Sequence, residues 1–344
     1  MNPFFANPTT DPSELYRLRD GIFAVDLLTT AIVEFDVITK LAAAPGDLAA
    51  VCAMLGTARR PTDVMLTLLA ANDLITKAGE KFYVSERGRE HLMTGSQWCV
   101  RDYFASLQDR PVARDMARVL RTGKPANWSS ADDLDNWHDA MEDENFAREF
   151  TAAMDCRGLV LAQSLAAAVA GDLSSSSRML DIGGGSGVYA CGLVHACPGL
   201  TASVLEKPPI DAIAREAIAG RGFADRVEVQ VGDMLSDPLP AGFDVHLFSN
   251  VLHDWDIPEV EVLLAQSSRA LPSGGTLLVH EAFLNESKTG PLPVAEYSAI
   301  LMHSTQGRCY GQGEIRSFLD AADFDTVRYQ DTTADRGVFI ARKR

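Results

Sequence analysis

The chain has 344 residues, 47% of them hydrophobic and 23% charged, a balance that builds two or three ordinary cores and excludes disorder, collagen-like composition and a fibrous heptad protein. Thirty-one Lys and Arg against 47 Asp and Glu leave a formal charge of -16, which repels nucleic acid and anionic lipid and favours a small-molecule partner. No apolar run reaches the roughly 20 residues of a membrane-spanning helix, and the opening MNPFFANPTTDPSEL has neither the basic start nor the apolar stretch of a leader. No membrane partner is therefore expected, and the location expected is cytoplasmic. Six cysteines (Cys52, Cys99, Cys156, Cys191, Cys197, Cys309) are scattered without a CxxC pair. They suit reduced, mostly buried filler thiols better than disulfides or a zinc cage, and no metal is expected.

From Leu15 to Leu41 the apolar residues Leu15, Leu18, Ile22 and Val25 begin a helical period that Pro45 and Gly46 close, so an amphipathic helix is predicted there. A second helix carries Leu48, Val51, Cys52 and Leu55 and stops at Gly56; a third opens at Pro61. The period then shortens to two in LITKAGEKFYVS, which reads as a hairpin turning at Ala78 to Lys81. Helix, turn, helix and hairpin make a winged-helix pattern over 1–95. A DNA reader needs a basic face, yet this segment holds 9 Lys and Arg against 12 Asp and Glu, so its apolar helices are expected to bury against a second copy of the chain.

Residues 96–172 read as a connecting helical layer rich in large side chains, among them Trp98, Tyr103, Phe104, Trp128, Trp137, Phe146, Phe150 and Met154. Such residues either pack domains together or line a pocket for an aromatic ligand. After the Ser174 to Ser177 run, short apolar segments alternate with helical ones: RMLDIG, TASVLE, RVEVQV, FDVHLFS, GTLLVHEAF, TVRYQ and GVFIAR. That alternation predicts an α/β fold with an open, mostly parallel sheet over 173–344.

The first of these segments runs into DIGGGSG, Asp181 to Gly187. Gly183, Gly185 and Gly187 give GxGxG, whereas the dinucleotide fingerprint needs its last glycine where this chain has Val188. Glu206 ends the second strand segment, 19 residues beyond Gly187, near the roughly 20-residue offset at which an acid meets ribose hydroxyls. Asp233 and Met234 follow the third, where a carboxylate can take an adenine amino group and a thioether can cover the ring. Each alone reads equally as a turn acid or core filler. Together they stand at carboxyl ends of successive strands, where open parallel sheets bind ligands. His253, in SNVLHDWD, and Glu281, in VHEAF, belong to the same edge, while Asp256 and Glu259 fit a capping box.

DIGGGSG, VGDML, NVLHDW and LVHEAF, in this order behind a winged-helix pattern, resemble the S-adenosylmethionine-dependent O-methyltransferases of the plant caffeate type and their bacterial antibiotic-tailoring relatives. The resemblance covers about Leu15 to Arg342. It implies a Rossmann-like class I methyltransferase domain behind a dimerisation domain, a homodimer, and methylation of a phenolic or similar hydroxyl on a small acceptor, with S-adenosylhomocysteine as product. By the same resemblance Gly183, Glu206, Asp233, Met234 and Ser249 contact the cofactor, Ser249 marking the bacterial branch. His253 is the general base, Glu281 orients it, and Phe150, Met154, Ile300 and Ser304 contact the acceptor. The plant enzymes carry a second glutamate where this chain has Cys309, which leaves His253 and Glu281 as the dyad. It also keeps open two other readings: methyl transfer by proximity alone, and a decarboxylation or hydroxylation run with the sulfonium bound.

Overall fold

The computed structural model describes residue 6 and residues 8–126 and 140–344; Trp128 and Trp137 lie outside the described residues. The chain divides into two units. One comprises Met1–Tyr16, Trp137–Phe283 and Gly313–Arg344, and the other Arg17–Asn136 and Leu284–Gln312.

In the second unit the predicted helices after Asp47 form as Leu48–Leu55 and Arg59–Ala71. Asp47 caps the first through Ala50 N–H at 2.9 Å, and Gly56 ends it in the left-handed region. The hairpin forms from β1 (Ile75–Ala78) and β2 (Lys81–Val84). The single helix expected from Leu15 to Leu41 does not. The chain makes Ser13–Asp20, Ala24–Thr29, a π turn at Thr30–Glu34, and Val37–Ala43, broken at Asp36, whose φ of 49° no helix tolerates. Arg101 holds that break, bonding both the Asp36 carboxylate and Val33 O. The periodic residues that open the segment, expected to bury against a second copy, are exposed in the single chain: Leu15 by 68% and Leu18 by 73%.

Residues 284–312, expected within 173–344, belong to this unit, where helix Leu292–Ser304 is buried along most of its length. It packs on Arg59–Ala71, Ala24–Thr29 and Pro111–Thr122. Of the cysteines expected to be buried, only Cys191, Cys197 and Cys309 are; Cys156 is exposed.

The first unit is built on seven strands: β3 (Arg178–Ile182), β4 (Thr201–Glu206), β5 (Val227–Val231), β6 (Val245–Ser249), β7 (Thr276–Glu281), β8 (Phe324–Asp331) and β9 (Gly337–Lys343). Their order is β5-β4-β3-β6-β7-β9-β8, with β9 antiparallel to both neighbours and the rest parallel. All seven apolar segments singled out in the sequence became strands. Consecutive residues such as Leu277, Leu278 and Val279 are fully buried, so both sheet faces are covered, as parallel sheets require. One face meets the helices Glu144–Val169, Val188–Ala196 and Ile210–Gly220 through Leu161, Leu165, Leu193 and Ile218. Glu144–Val169 is 26 residues long and apolar enough to cross a bilayer by length and composition. Here it is a core helix, with Asp155 and Arg157 in its middle. The strand order reverses between β3 and β6, which opens a crevice beyond their carboxyl ends.

Gly187 sits at that reversal with φ 73°, and a Cβ there would meet Ile218 at 2.9 Å and Val204 at 3.2 Å. Gly187→Ala should therefore combine left-handed strain with overpacking, a loss of roughly 2–4 kcal/mol. A urea titration reads this directly, and an unchanged midpoint would show that the turn relaxes at no cost.

Candidate active site

Three glycines shape the loop after β3, with φ of 67° at Gly183, 57° at Gly185 and 73° at Gly187. Gly183 N–H donates to Leu205 O at 3.0 Å and Gly187 N–H to Gly184 O at 2.9 Å. A Cβ on Gly183 would stand 3.3 Å from Met234 Sδ and 3.2 Å from Val251 Cγ2, whereas one on Gly185 would meet no atom of the described residues within 4 Å. The turn therefore touches the β5 and β6 loops at one glycine and meets none of the described residues at another.

Glu206 ends β4 and accepts Gly185 N–H on Oε1 at 2.8 Å. Burial, offset by the backbone bonds from Gly185 and Lys207, pushes its carboxyl up to about 7. Beneath the turn Asp181 is fully buried, and burial followed by repulsion from Glu206 raises it likewise to about 7. Asp233 is held by local bonds: its N–H donates to Asp237 Oδ2 and its Oδ1 accepts Leu235 N–H, both at 2.8 Å. Gln266, from helix Ile257–Ala270, donates to Met234 O at 3.1 Å and Leu235 O at 2.9 Å. Sequence reasoning missed Gln266; its one signal is an amide on the buried face of an amphipathic helix.

His253 lies in a short 3₁₀ turn, Leu252–Asp254, that leaves β6 through Asn250 and Val251. Its Nδ1 is 2.5 Å from Glu281 Oε2, with both side chains almost wholly buried. The other oxygen, Oε1, accepts Val251 N–H at 2.8 Å and Leu252 N–H at 2.9 Å. Two backbone amides thus fix the carboxylate, and the carboxylate fixes the imidazole. On the far side, His253 Nε2 is 3.7 Å from Asp254 Oδ1, a carboxyl that burial pushes up to about 6. Burial pulls His253 down, but Glu281 and then Asp254 outweigh it, and its pKa is raised. Asp256 has a structural task, capping Ile257–Ala270 through Ile257 N–H at 2.8 Å.

Ser249 is buried, with Oγ 2.8 Å from His280 Nδ1 and accepting Asn250 Nδ2 at 3.3 Å. Asn250 also donates to Tyr189 OH at 3.0 Å, and His280 Nε2 lies 3.1 Å from Thr332 Oγ1. Burial lowers His280 to about 3, so it stays neutral within this network. Arg157, a buried cation on helix Glu144–Val169, contributes to the field at His253, Tyr189 and His280; sequence reasoning missed it too. Phe150 stacks on Phe146 at 6.1 Å beside Ile210 and Ile213, and Met154 is half-buried one turn further along. Ile300 and Ser304 lie in the second unit, both buried in helix Leu292–Ser304, where Ser304 Oγ is 3.1 Å from His303 Nδ1. Cys309, also there, is buried and donates its N–H to Ser298 Oγ at 3.1 Å.

A profile of the O-methyltransferase domain family matches residues 114–325. The 3-hydroxy-5-methyl-1-naphthoate 3-O-methyltransferase of Streptomyces sahachiroi is 32% identical over 324 residues, which span 92% of this chain and 90% of that one. The crystal structure of an O-methyltransferase family 2 protein from Planctomyces limnophilus, in complex with apigenin, has a TM-score of 0.88 at 30% identity, covering 99% of this chain and 98% of its own. Human N-acetylserotonin methyltransferase in complex with SAM has a TM-score of 0.61 at 26% identity, covering 98% and 99%.

Proposed function

The chain belongs to the O-methyltransferase domain family and is an O-methyltransferase, and from that premise we propose that it moves a methyl group from S-adenosylmethionine to a hydroxyl of a small aromatic acceptor, with His253 as general base. The observation that carries this reading is the His253–Glu281 pair, locked by the Val251 and Leu252 amides while Val251 itself packs toward Gly183. That packing supports putting the proton acceptor and the glycine turn on one rim.

The residues fit an adenosine. Among the described residues nothing fills the place a side chain on Gly185 would take, and the Glu206 carboxylate, with Oε1 accepting Gly185 N–H, suits a ribose diol. Asp233 suits the adenine amino group and Met234 the ring face. The buried Arg157 guanidinium suits the carboxylate of the methionine portion. We assign Ser249 to the same rim through its bonds to Asn250 and His280. The bound donor supplies an already activated methyl on a sulfonium, so what the protein adds is alignment and proton removal.

Phe150 and Met154 offer an aromatic and a thioether surface for an acceptor ring. A phenol with a pKa near 10 stays protonated at neutral pH, and His253 takes its proton on Nε2 as the oxygen becomes nucleophilic. Glu281 holds the Nδ1 proton and stabilises the imidazolium that results. The named acceptors of the relatives, a hydroxynaphthoate among them, support an aromatic hydroxyl. Calorimetric titration with S-adenosylhomocysteine, followed by methyl incorporation into hydroxynaphthoates and flavones, tests this; binding without any methylated aromatic product would remove the acceptor class.

We also propose that the chain works as a homodimer through its amino-terminal helices. Leu15 and Leu18 in Ser13–Asp20, Ile22 in the turn that follows and Val25 in Ala24–Thr29 are all exposed, apolar surface that a second copy would cover. Leu18→Asp should convert a dimeric mass in sedimentation to a monomeric one. A parent chain already monomeric at micromolar concentration would contradict this reading.

A further inference from the structure

The glycine turn is held by its own backbone N–H bonds at Gly183, Gly185 and Gly187, and by one side chain besides. Gly183, Gly184, Gly185 and Gly187 each bring the largest conformational freedom of any residue, and a loop that is ordered only when ligand arrives loses affinity to that ordering. Ser186 is the one residue between Gly183 and Gly187 with a side chain, and that side chain is buried and tethered. Its hydroxyl donates to Asp155 Oδ1, and the same oxygen accepts Arg221 Nη2. Arg221 Nη1 also donates to Ser186 O at 3.4 Å. Both ends of the serine are therefore held by one ion pair, whose side chains are only 12% exposed at Arg221 and 24% at Asp155.

The partner residues stand on rigid supports. Asp155 is in the middle of helix Glu144–Val169, which lies so close to helix Val188–Ala196 that a Cβ on Gly158 would meet Val188 Cγ1 at 2.5 Å and one on Gly192 would meet Ala162 Cβ at 3.0 Å. Arg221 caps the end of Ile210–Gly220. Asp155 thus ties the turn after β3 to two helices.

We propose that Asp155 is a positioning residue for the methyl donor: by holding Ser186 and Arg221 together it keeps the Gly183–Gly187 turn in its ligand-ready shape. This rests on the proposed use of the turn for S-adenosylmethionine. The clamp acts before chemistry, so its loss raises the donor's KM and leaves kcat at saturating donor nearly intact.

Calorimetric titration of S-adenosylhomocysteine into the full-length protein tests it, with Asp155→Ala, Ser186→Ala and the double variant. Each single variant is expected to bind about tenfold more weakly, the scale of one charge-assisted hydrogen bond. The double variant should bind no more weakly than the weaker single, because both remove the same contact. KM for S-adenosylmethionine should rise in parallel while kcat stays within about threefold, and Asp155→Asn, which keeps an acceptor for Ser186, should recover part of the loss. Ser186→Ala removes a single oxygen and carries the test even if Asp155→Ala fails to fold. Binding within about twofold of the parent in Ser186→Ala, or losses that multiply in the double variant, would overturn the proposal. A parent protein that does not bind S-adenosylhomocysteine would instead overturn the function assigned to the turn.

Discussion

Replacing His253 by alanine is expected to lower turnover by about 10² to 10⁴ while S-adenosylhomocysteine binds nearly as tightly as to the parent. The imidazole is held by Glu281, whereas Glu206 and Asp233, proposed for the nucleoside, accept the Gly185 and Leu235 amides. Rapid-quench methyl transfer separates the two effects; turnover like the parent's would leave alignment alone as the source of catalysis. The pH profile gives a second check. Burial lowers the His253 pKa, Glu281 and Asp254 raise it further than that, and the net direction is upward. A base must be neutral to accept a proton, so turnover of the parent should rise with pH through a value above the reference of about 6.5. Stability runs the other way. The raised folded pKa means that the protonated pair stabilises the fold fully below the unfolded value of about 6.5, and that this contribution is lost as pH rises through the folded pKa. The limb of activity and the decline of this stabilisation should therefore coincide, and the His253→Ala change should abolish both.

The strands were legible because a parallel sheet buried on both faces favours consecutive apolar residues over alternation, and RMLDI, VHLFS and TLLVHE each hold such residues. The glycine turn was legible because only glycine adopts its three positive φ angles without strain. What periodicity does not show at the amino terminus is what covers its apolar residues: Leu15, Leu18, Ile22 and Val25 read the same whether a chain buries them itself or leaves them exposed for a second copy. Nor does period-counting register Asp36, whose left-handed backbone depends on Arg101, 65 residues away. Helix Leu292–Ser304 followed the last parallel strand in sequence, so it was read with the sheet; apolar residues spread over more than one of its faces were the overlooked sign of a helix enclosed by other helices.

At the site, the residue types were readable and their couplings were not. His253 and Glu281 were placed at one sheet edge from strand ends alone. That Glu281 meets the Val251 and Leu252 amides depends on register: Ser249 pairs with His280, so the next residue of β7 faces the loop leaving β6. A one-residue slip would turn Glu281 to the opposite face. Arg157, Gln266 and Asp155 sit on helices whose sequence shows only a charged or amide residue among apolar ones. Such residues most often face water, and only the packing of those helices reveals that Arg157 and Gln266 are buried.

Glu281→Gln should be nearly as damaging to turnover as loss of the base itself, although it changes no shape. The amide oxygen of the new side chain still accepts the Val251 and Leu252 N–H groups, which places its NH₂ toward His253 Nδ1. Two donors cannot face each other, so Nδ1 must become the acceptor and the single ring proton moves to Nε2. The nitrogen that should take the acceptor's proton is then already occupied. A buried carboxylate-to-amide change behind a catalytic histidine costs about 10⁴ in the serine proteases, and a loss of about 10² to 10⁴ is expected here. S-adenosylhomocysteine affinity should be unchanged, and the surviving activity should extend to lower pH, since the charge that raises the His253 pKa is gone. Glu281→Ala makes a different case: it strands two buried amides as well, so its urea midpoint should fall further than that of the glutamine variant. Turnover of Glu281→Gln within about threefold of the parent would show that His253 is oriented by something other than Glu281.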